Sequence, residues 1–216
     1  MAIFGAYRVI ELLAMVAEQL LQNSVLELVA VVFAIAYLVL AVKESSLCWY
    51  AAGISTLIFL FIFWDVKLYM ESGLQIYYLG MAFYGWHQWQ GAQGEATSLP
   101  VSRWSAAQHV KALALIAVLT FASGSLLNSG TDANMPYLDS FTTWASVVTT
   151  FMVARKILEN WIYWLVIDSV SIFLYIDRGL YFTALLFAIY IVIIFFGWMA
   201  WNRSYRERGD FSENRW

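Results

Sequence analysis

Residues 160–170 read NWIYWLVIDSV, and the apolar run they open continues to residue 176 with one charged side chain, Asp168. A bilayer crossing needs about 20 largely apolar residues, with about 17 as the lower bound, and this run meets that need with nothing to spare. A water-facing helix would show a polar face, and here there is almost none. The rest of the chain has the same character. Of its 216 residues 62% are hydrophobic and only 12% charged, whereas a soluble domain carries roughly 25% charged residues. The chain therefore reads as an all-α membrane protein that crosses the bilayer many times.

Counting outward from that run gives spans near 25–42, 47–66, 72–90, 108–127, 137–155, 160–176 and 180–201, seven in all. The opening IFGAYRVIELLAMVAEQLL is helical in pattern, but Arg8, Glu11 and Glu18 interrupt it. Residues 1–24 are thus expected to lie in the interface as an amphipathic helix rather than to span. They also lack the basic start of a cleavable signal peptide. Lys43, Arg103, Lys111, Arg155, Lys156, Arg203, Arg206, Arg208 and Arg215 fall on one side of such a bundle, against Arg8, Lys67 and Arg178 on the other. Basic residues mark the cytoplasmic side, so the N-terminus is expected outside and the C-terminus in the cytoplasm.

A repeat organises these spans. Shifting the sequence by 112 residues pairs Trp49 with Trp161, Asp65 with Asp177, Tyr78 with Tyr190, and GWHQW from Gly85 with GWMAW from Gly197. It also pairs Glu27 with Asp139 and Lys43 with Arg155. Corresponding helices lie four crossings apart and so point the same way. The expectation is a 3+1+3 parallel repeat: a first three-helix bundle over 25–90, a loop and connecting helix over 91–135, a second bundle over 136–202, and a cytoplasmic tail over 203–216. Such repeats are a transporter signature, with the substrate near the midplane between the halves.

On a helix, Trp161, Trp164, Asp168, Ser171 and Tyr175 fall on one stripe at spacings of three or four. An ionised carboxylate at mid-span costs about 2.5–3.5 kcal/mol to insert, so Asp168 needs a polar cavity or a counter-charge. Every Lys and Arg beyond residue 24 sits at or outside a span end, which leaves a ligand as the source of positive charge. Indole faces beside a carboxylate suit an organic cation or a flat heteroaromatic ring. Gln75 and Tyr78 on the third span offer polar groups toward the same interior. The plainer readings are a neutral Asp168 hydrogen-bonded to another helix, Trp161 as an interfacial anchor, and Gln75 satisfied at its helix start. Asp168 has Thr56 as repeat mate, so the pocket is charged on one half only. Gly85 and Gly197 are read as points of close helix approach, with their tryptophans anchoring the cytoplasmic interface.

No catalytic motif of the H-E-x-x-H or G-x-S-x-G kind occurs, so no enzyme is expected. Cys48 stands alone, and neither His87 nor His109 has metal-ligand company, so no metal or other cofactor is expected. Nothing reads as a nucleic-acid-binding patch. The expected partners are the lipid bilayer and a small molecule, with a homo-oligomer left open.

LQIYYLGMAFYGWHQW, ENWIYWLVIDSVSIFLY and RGLYFTALLFAIYIVIIFFGWMAW resemble the bacterial PnuC family of vitamin transporters, from about Leu26 to Trp201. The resemblance implies a fold like a full-length relative of the SWEET sugar transporters, a place in the bacterial inner membrane, and uptake by facilitated diffusion. Nicotinamide riboside members of that family carry asparagine where this chain has Ala82 and Asp168. Thiamine, with its fixed thiazolium charge, is the substrate expected to suit Asp168 best. Nicotinamide riboside, whose pyridinium is also cationic, is the alternative, and neutral riboflavin ranks third.

Overall fold

A computed structural model of the chain describes residue 15 and residues 25–65, 69–90, 99–130 and 135–213. The expected interfacial helix over 1–24 lies outside the described residues apart from Met15. The described chain forms seven helices: α1 Val25–Val42, α2 Cys48–Asp65, α3 Tyr69–Gln90, α4 Ala106–Gly130, α5 Pro136–Ala154, α6 Asn160–Asp177 and α7 Tyr181–Glu213. Each expected span has its helix. The last helix, α7, runs on through Glu213, so most of the expected 203–216 tail is helical. Arg203 and Glu207 form an i,i+4 ion pair at 2.7 Å along that extension, a spacing that supports an exposed helix.

Three helices, α1, α4 and α7, combine the length and apolarity of a membrane crossing, and α2 contributes a shorter apolar stretch over Cys48–Ile62. The others are more polar for a visible reason. Ser140, Ser146, Thr149 and Thr150 on α5 and Asp168 and Ser171 on α6 are all buried, so the polarity faces inward while Ile162, Val166, Phe173 and Ile176 face out.

Packing follows two trios. Helix α2 packs on α1 and α3, and α6 packs on α5 and α7. The trios meet where α1 touches α7 and where α3 touches α5, two contacts that exchange under the 112-residue shift. Helix α4 packs mainly on α5, seated where Gly124 leaves room for the Tyr137 ring, and also reaches α6 through His109 on Tyr163.

The turns after α1 and α5 are built alike. Glu44 N–H donates to Ala41 O at 3.0 Å and Ser45 N–H to Leu40 O at 3.0 Å; Lys156 N–H donates to Val153 O and Ile157 N–H to Met152 O, both at 2.9 Å. This is the Schellman pattern, whose left-handed residue is usually glycine. Gly179 fills that role after α6, with φ 72°. Glu44 and Lys156 fill it here, with φ 52° and 49°, a conformation costing about 1–3 kcal/mol for a residue other than glycine. The two side chains meet: Lys156 Nζ lies 2.9 Å from Glu44 Oε2, with Lys156 only 1% exposed. Lys156 Nζ also stands 4.6 Å from the centre of the Trp89 ring, a cation–π arrangement.

Around this pair the tryptophans are core residues and not interfacial anchors, which corrects the sequence reading. Trp49, Trp89, Trp161 and Trp201 are all buried. Trp89 Nε1–H donates to Ala154 O at 3.1 Å and Trp201 Nε1–H to Ala41 O at 2.9 Å. Trp49 meets Trp89 edge-on at 5.4 Å and Trp161 meets Trp201 edge-on at 5.3 Å, each worth about 0.5–1.5 kcal/mol beyond area burial. Trp49 lies on Gly85 and Trp161 on Gly197. The glycines admit a neighbouring helix's indole, which is why a Gly precedes each GWxxW tryptophan pair.

Candidate substrate site

The α6 stripe turns inward as its spacing predicts. Trp161, Asp168 and Ser171 are buried, and Trp164 and Tyr175 half-buried. The stripe nevertheless divides in two. Trp161 belongs to the aromatic cluster with Trp201 and Gly197. Its indole N–H has no hydrogen-bond partner among the described residues, and neither has that of its repeat mate Trp49. Both copies share that geometry, and the contacts of Trp161 are with Trp201 and Gly197, about two turns from Asp168 along α6. Trp164 packs against both the aromatic cluster and the smaller apolar group of Ile116, Ala145 and Ile167, so it joins the two zones.

One turn deeper, Asp168 is 3% exposed. Among the described residues no hydrogen bond or ion pair reaches its carboxylate; the group in electrostatic reach is Tyr190 on α7. Tyr190 is also within reach of Tyr175 on α6. Its repeat mate Tyr78 on α3 is in reach of Tyr175 too, and neighbours Ser146 on α5 and Tyr37 on α1. Phe187 stands between Tyr175 and Tyr190, with ring centres 5.1 and 5.4 Å away. Asp168, Tyr78, Tyr175 and Tyr190 are thus gathered from α3, α6 and α7, with Ser146 from α5 and Tyr37 from α1 at the border. Gln75 is half-buried on α3, one turn from Tyr78.

Tyr190 and Tyr37 are absent from the sequence-derived site. Tyr190 carries a signal, since it matches Tyr78 at the repeat offset; Tyr37 carries none beyond its hydroxyl. Of the histidines, His109 Nδ1 lies 2.9 Å from the Tyr163 hydroxyl and stacks on that ring. Among the described residues no group of three His, Cys, Asp or Glu side chains is placed to hold a metal ion. Asp139, the repeat mate of Glu27, pairs with Arg178 at 2.6 Å.

A chemically sparse interior of one carboxylate, several phenols and small hydroxyls within an apolar helical bundle is suited to binding and release; among the described residues no nucleophile–base pair is gathered there for covalent work. Such an interior suits a membrane transporter. The comparisons give the family: the model described as nicotinamide mononucleotide transporter matches residues 24–203, and the chain belongs to that family. It is 29% identical over 196 residues to the nicotinamide riboside transporter PnuC of Escherichia coli (strain K12), covering 79% of this chain and 82% of that one. It is 27% identical over 176 residues to the riboflavin/roseoflavin transporter RibM of Streptomyces davaonensis, covering 79% and 81%. The crystal structure of the vitamin B3 transporter PnuC has the same fold, with a TM-score of 0.69 at 22% identity over 93% of this chain and 92% of that one. The chain is accordingly a membrane transporter of that family, and the relatives it matches are transporters of vitamins.

Proposed function

We propose that this protein carries nicotinamide riboside inward by facilitated diffusion through a 3+1+3 parallel-repeat bundle. The observation that carries the reading is Asp168, a buried carboxylate with no protein counter-charge among the described residues, set among tyrosines from both trios. Leaving such a charge unpaired is costly, and a cationic ring entering between the halves supplies the missing partner. The family match and the Escherichia coli relative favour nicotinamide riboside, the alternative in the sequence reading, over thiamine. Thiamine stays as the second reading on a specific ground: the carboxylate of Asp168 replaces the amide of nicotinamide riboside members, and a fixed thiazolium gains from that change.

The arrangement is supported by the exchange of the α1–α7 and α3–α5 contacts under the repeat shift. It is supported further by two pairs of repeat mates in direct contact, Glu44 with Lys156 and Trp89 with Trp201 at 5.9 Å. Residues that touch their own mates lie beside the axis relating the halves. The excess of basic residues supports a cytoplasmic position for this end and for the C-terminus, in a bacterial inner membrane. Rocking of one trio against the other about the Asp168 level then exposes the site to each side in turn.

Uptake of radiolabelled nicotinamide riboside, thiamine and riboflavin into proteoliposomes holding only this protein tests the proposal. Saturable nicotinamide riboside uptake that stops at equal concentrations and needs no ATP or ion gradient is expected. Accumulation above the outside concentration refutes the uniport, and saturable thiamine uptake without nicotinamide riboside uptake moves the assignment to the second reading.

A further inference from the structure

Helix α4 touches α5 but not α3, and α3 also packs on α5. Two walls that do not meet over a shared floor leave a groove. Its volume is about 910 Å³, with Met81 on α3, Leu115 on α4, and Val148 and Phe151 on α5 in its apolar length. Its other end is basic: Arg103, Lys111 and Arg155 line it together with Gln108. Among the described residues no carboxylate lines the groove. Arg103 is paired with Glu159, Nε to Oε1 at 2.7 Å, a contact that holds its guanidinium above its ordinary pKa. Among the described residues neither Lys111 nor Arg155 has a carboxylate partner; Arg155 donates only to the Tyr84 hydroxyl, at 3.4 Å. The start of α4 adds to the positive field, since it opens beside this end with a Ser105–Gln108 capping box.

We propose that this groove holds one anionic phospholipid, its phosphate between Lys111 and Arg155 and its acyl chains along Leu115, Val148 and Phe151. Charge complementarity selects that occupant. Two cations without a carboxylate partner among the described residues favour an anion at one end, the apolar length favours hydrocarbon, and an anionic lipid supplies both in one molecule at the depth where helix ends meet the interface. A second copy of the chain would have to bring an acidic group to the same point.

Native mass spectrometry of the purified full-length chain tests this, with phosphatidylglycerol and phosphatidylcholine of identical acyl chains added in turn. The wild-type protein is expected to retain phosphatidylglycerol at least about tenfold more than phosphatidylcholine, a difference of about 1.4 kcal/mol. The K111Q/R155Q variant is expected to lose that preference, and R206Q, a basic residue outside the groove, to keep it. Equal retention of both lipids by the wild type overturns the proposal, as does a preference that survives K111Q/R155Q. An oligomer that excludes lipid and dissociates in K111Q/R155Q also overturns it, and assigns the groove to a second copy.

Discussion

Asp168 is the residue on which the substrate turns. Asp168→Asn keeps the shape and removes the charge, and returns the position to the amide found in nicotinamide riboside members of the family. The expected result is a change in ranking: any thiamine uptake falls at least about tenfold, the loss of one ionic contact of about 1.4 kcal/mol, while nicotinamide riboside uptake is kept or raised. Competition uptake assays on the two proteins check it, and an unchanged ranking removes the counter-ion role. At this scale the sequence was legible where periodicity governs. The inward stripe Trp161, Trp164, Asp168, Ser171 and Tyr175 follows from spacing alone. What spacing does not give is depth against neighbours: Trp161 and Asp168 share a face, yet one seats on Gly197 and the other meets Tyr190. Tyr37 reaches the site from α1, and no pattern within α1 marks it.

At the scale of the helix, each glycine of the GWxxW motifs is a seat for an indole from the neighbouring helix. A Cβ at position 197 would stand 2.5 Å from the Trp161 ring, far inside contact distance, and the ring is held by Trp201 on its other side. Gly197→Ala therefore forces α6 from α7 or turns Trp161 out of its rotamer. Overpacking of this kind costs about 1–3 kcal/mol. The expected outcome is a lower unfolding temperature in detergent for Gly197→Ala and for Gly85→Ala. Gly53→Ala, where nothing lies within 4 Å of the added carbon, is expected to match wild type. Thermal unfolding followed by tryptophan fluorescence reads all three. The seven helices were legible because hydrophobic length is a strong signal. The tryptophans were misread because Trp at a span end is usual both at interfaces and in close-packed junctions, and only the partner across the junction distinguishes them.

For the whole molecule the decisive feature is the pair Glu44–Lys156, separated by the repeat length of 112 residues. Opposite charges at matched positions break the sequence match, so a search for similarity passes over them; in the fold they close the junction of the halves. Lys156 is buried, and removing either partner leaves an uncompensated charge, a loss of about 3–5 kcal/mol. Glu44→Gln and Lys156→Met are each expected to lower the unfolding temperature. The double exchange, Glu44→Lys with Lys156→Glu, separates symmetry from simple pairing. If the proposed axis relates the two turns, the exchanged lysine approaches Trp201 as Lys156 approaches Trp89, and both turns keep their hydrogen-bond rings. The exchanged protein is then expected to recover most of the stability that each single reversal loses. Measured as a double-mutant cycle, a coupling of at least about 1 kcal/mol fits the two-fold arrangement. Single reversals whose effects simply add would mean that the two turns are alike in outline only, and that the halves do not meet about a common axis.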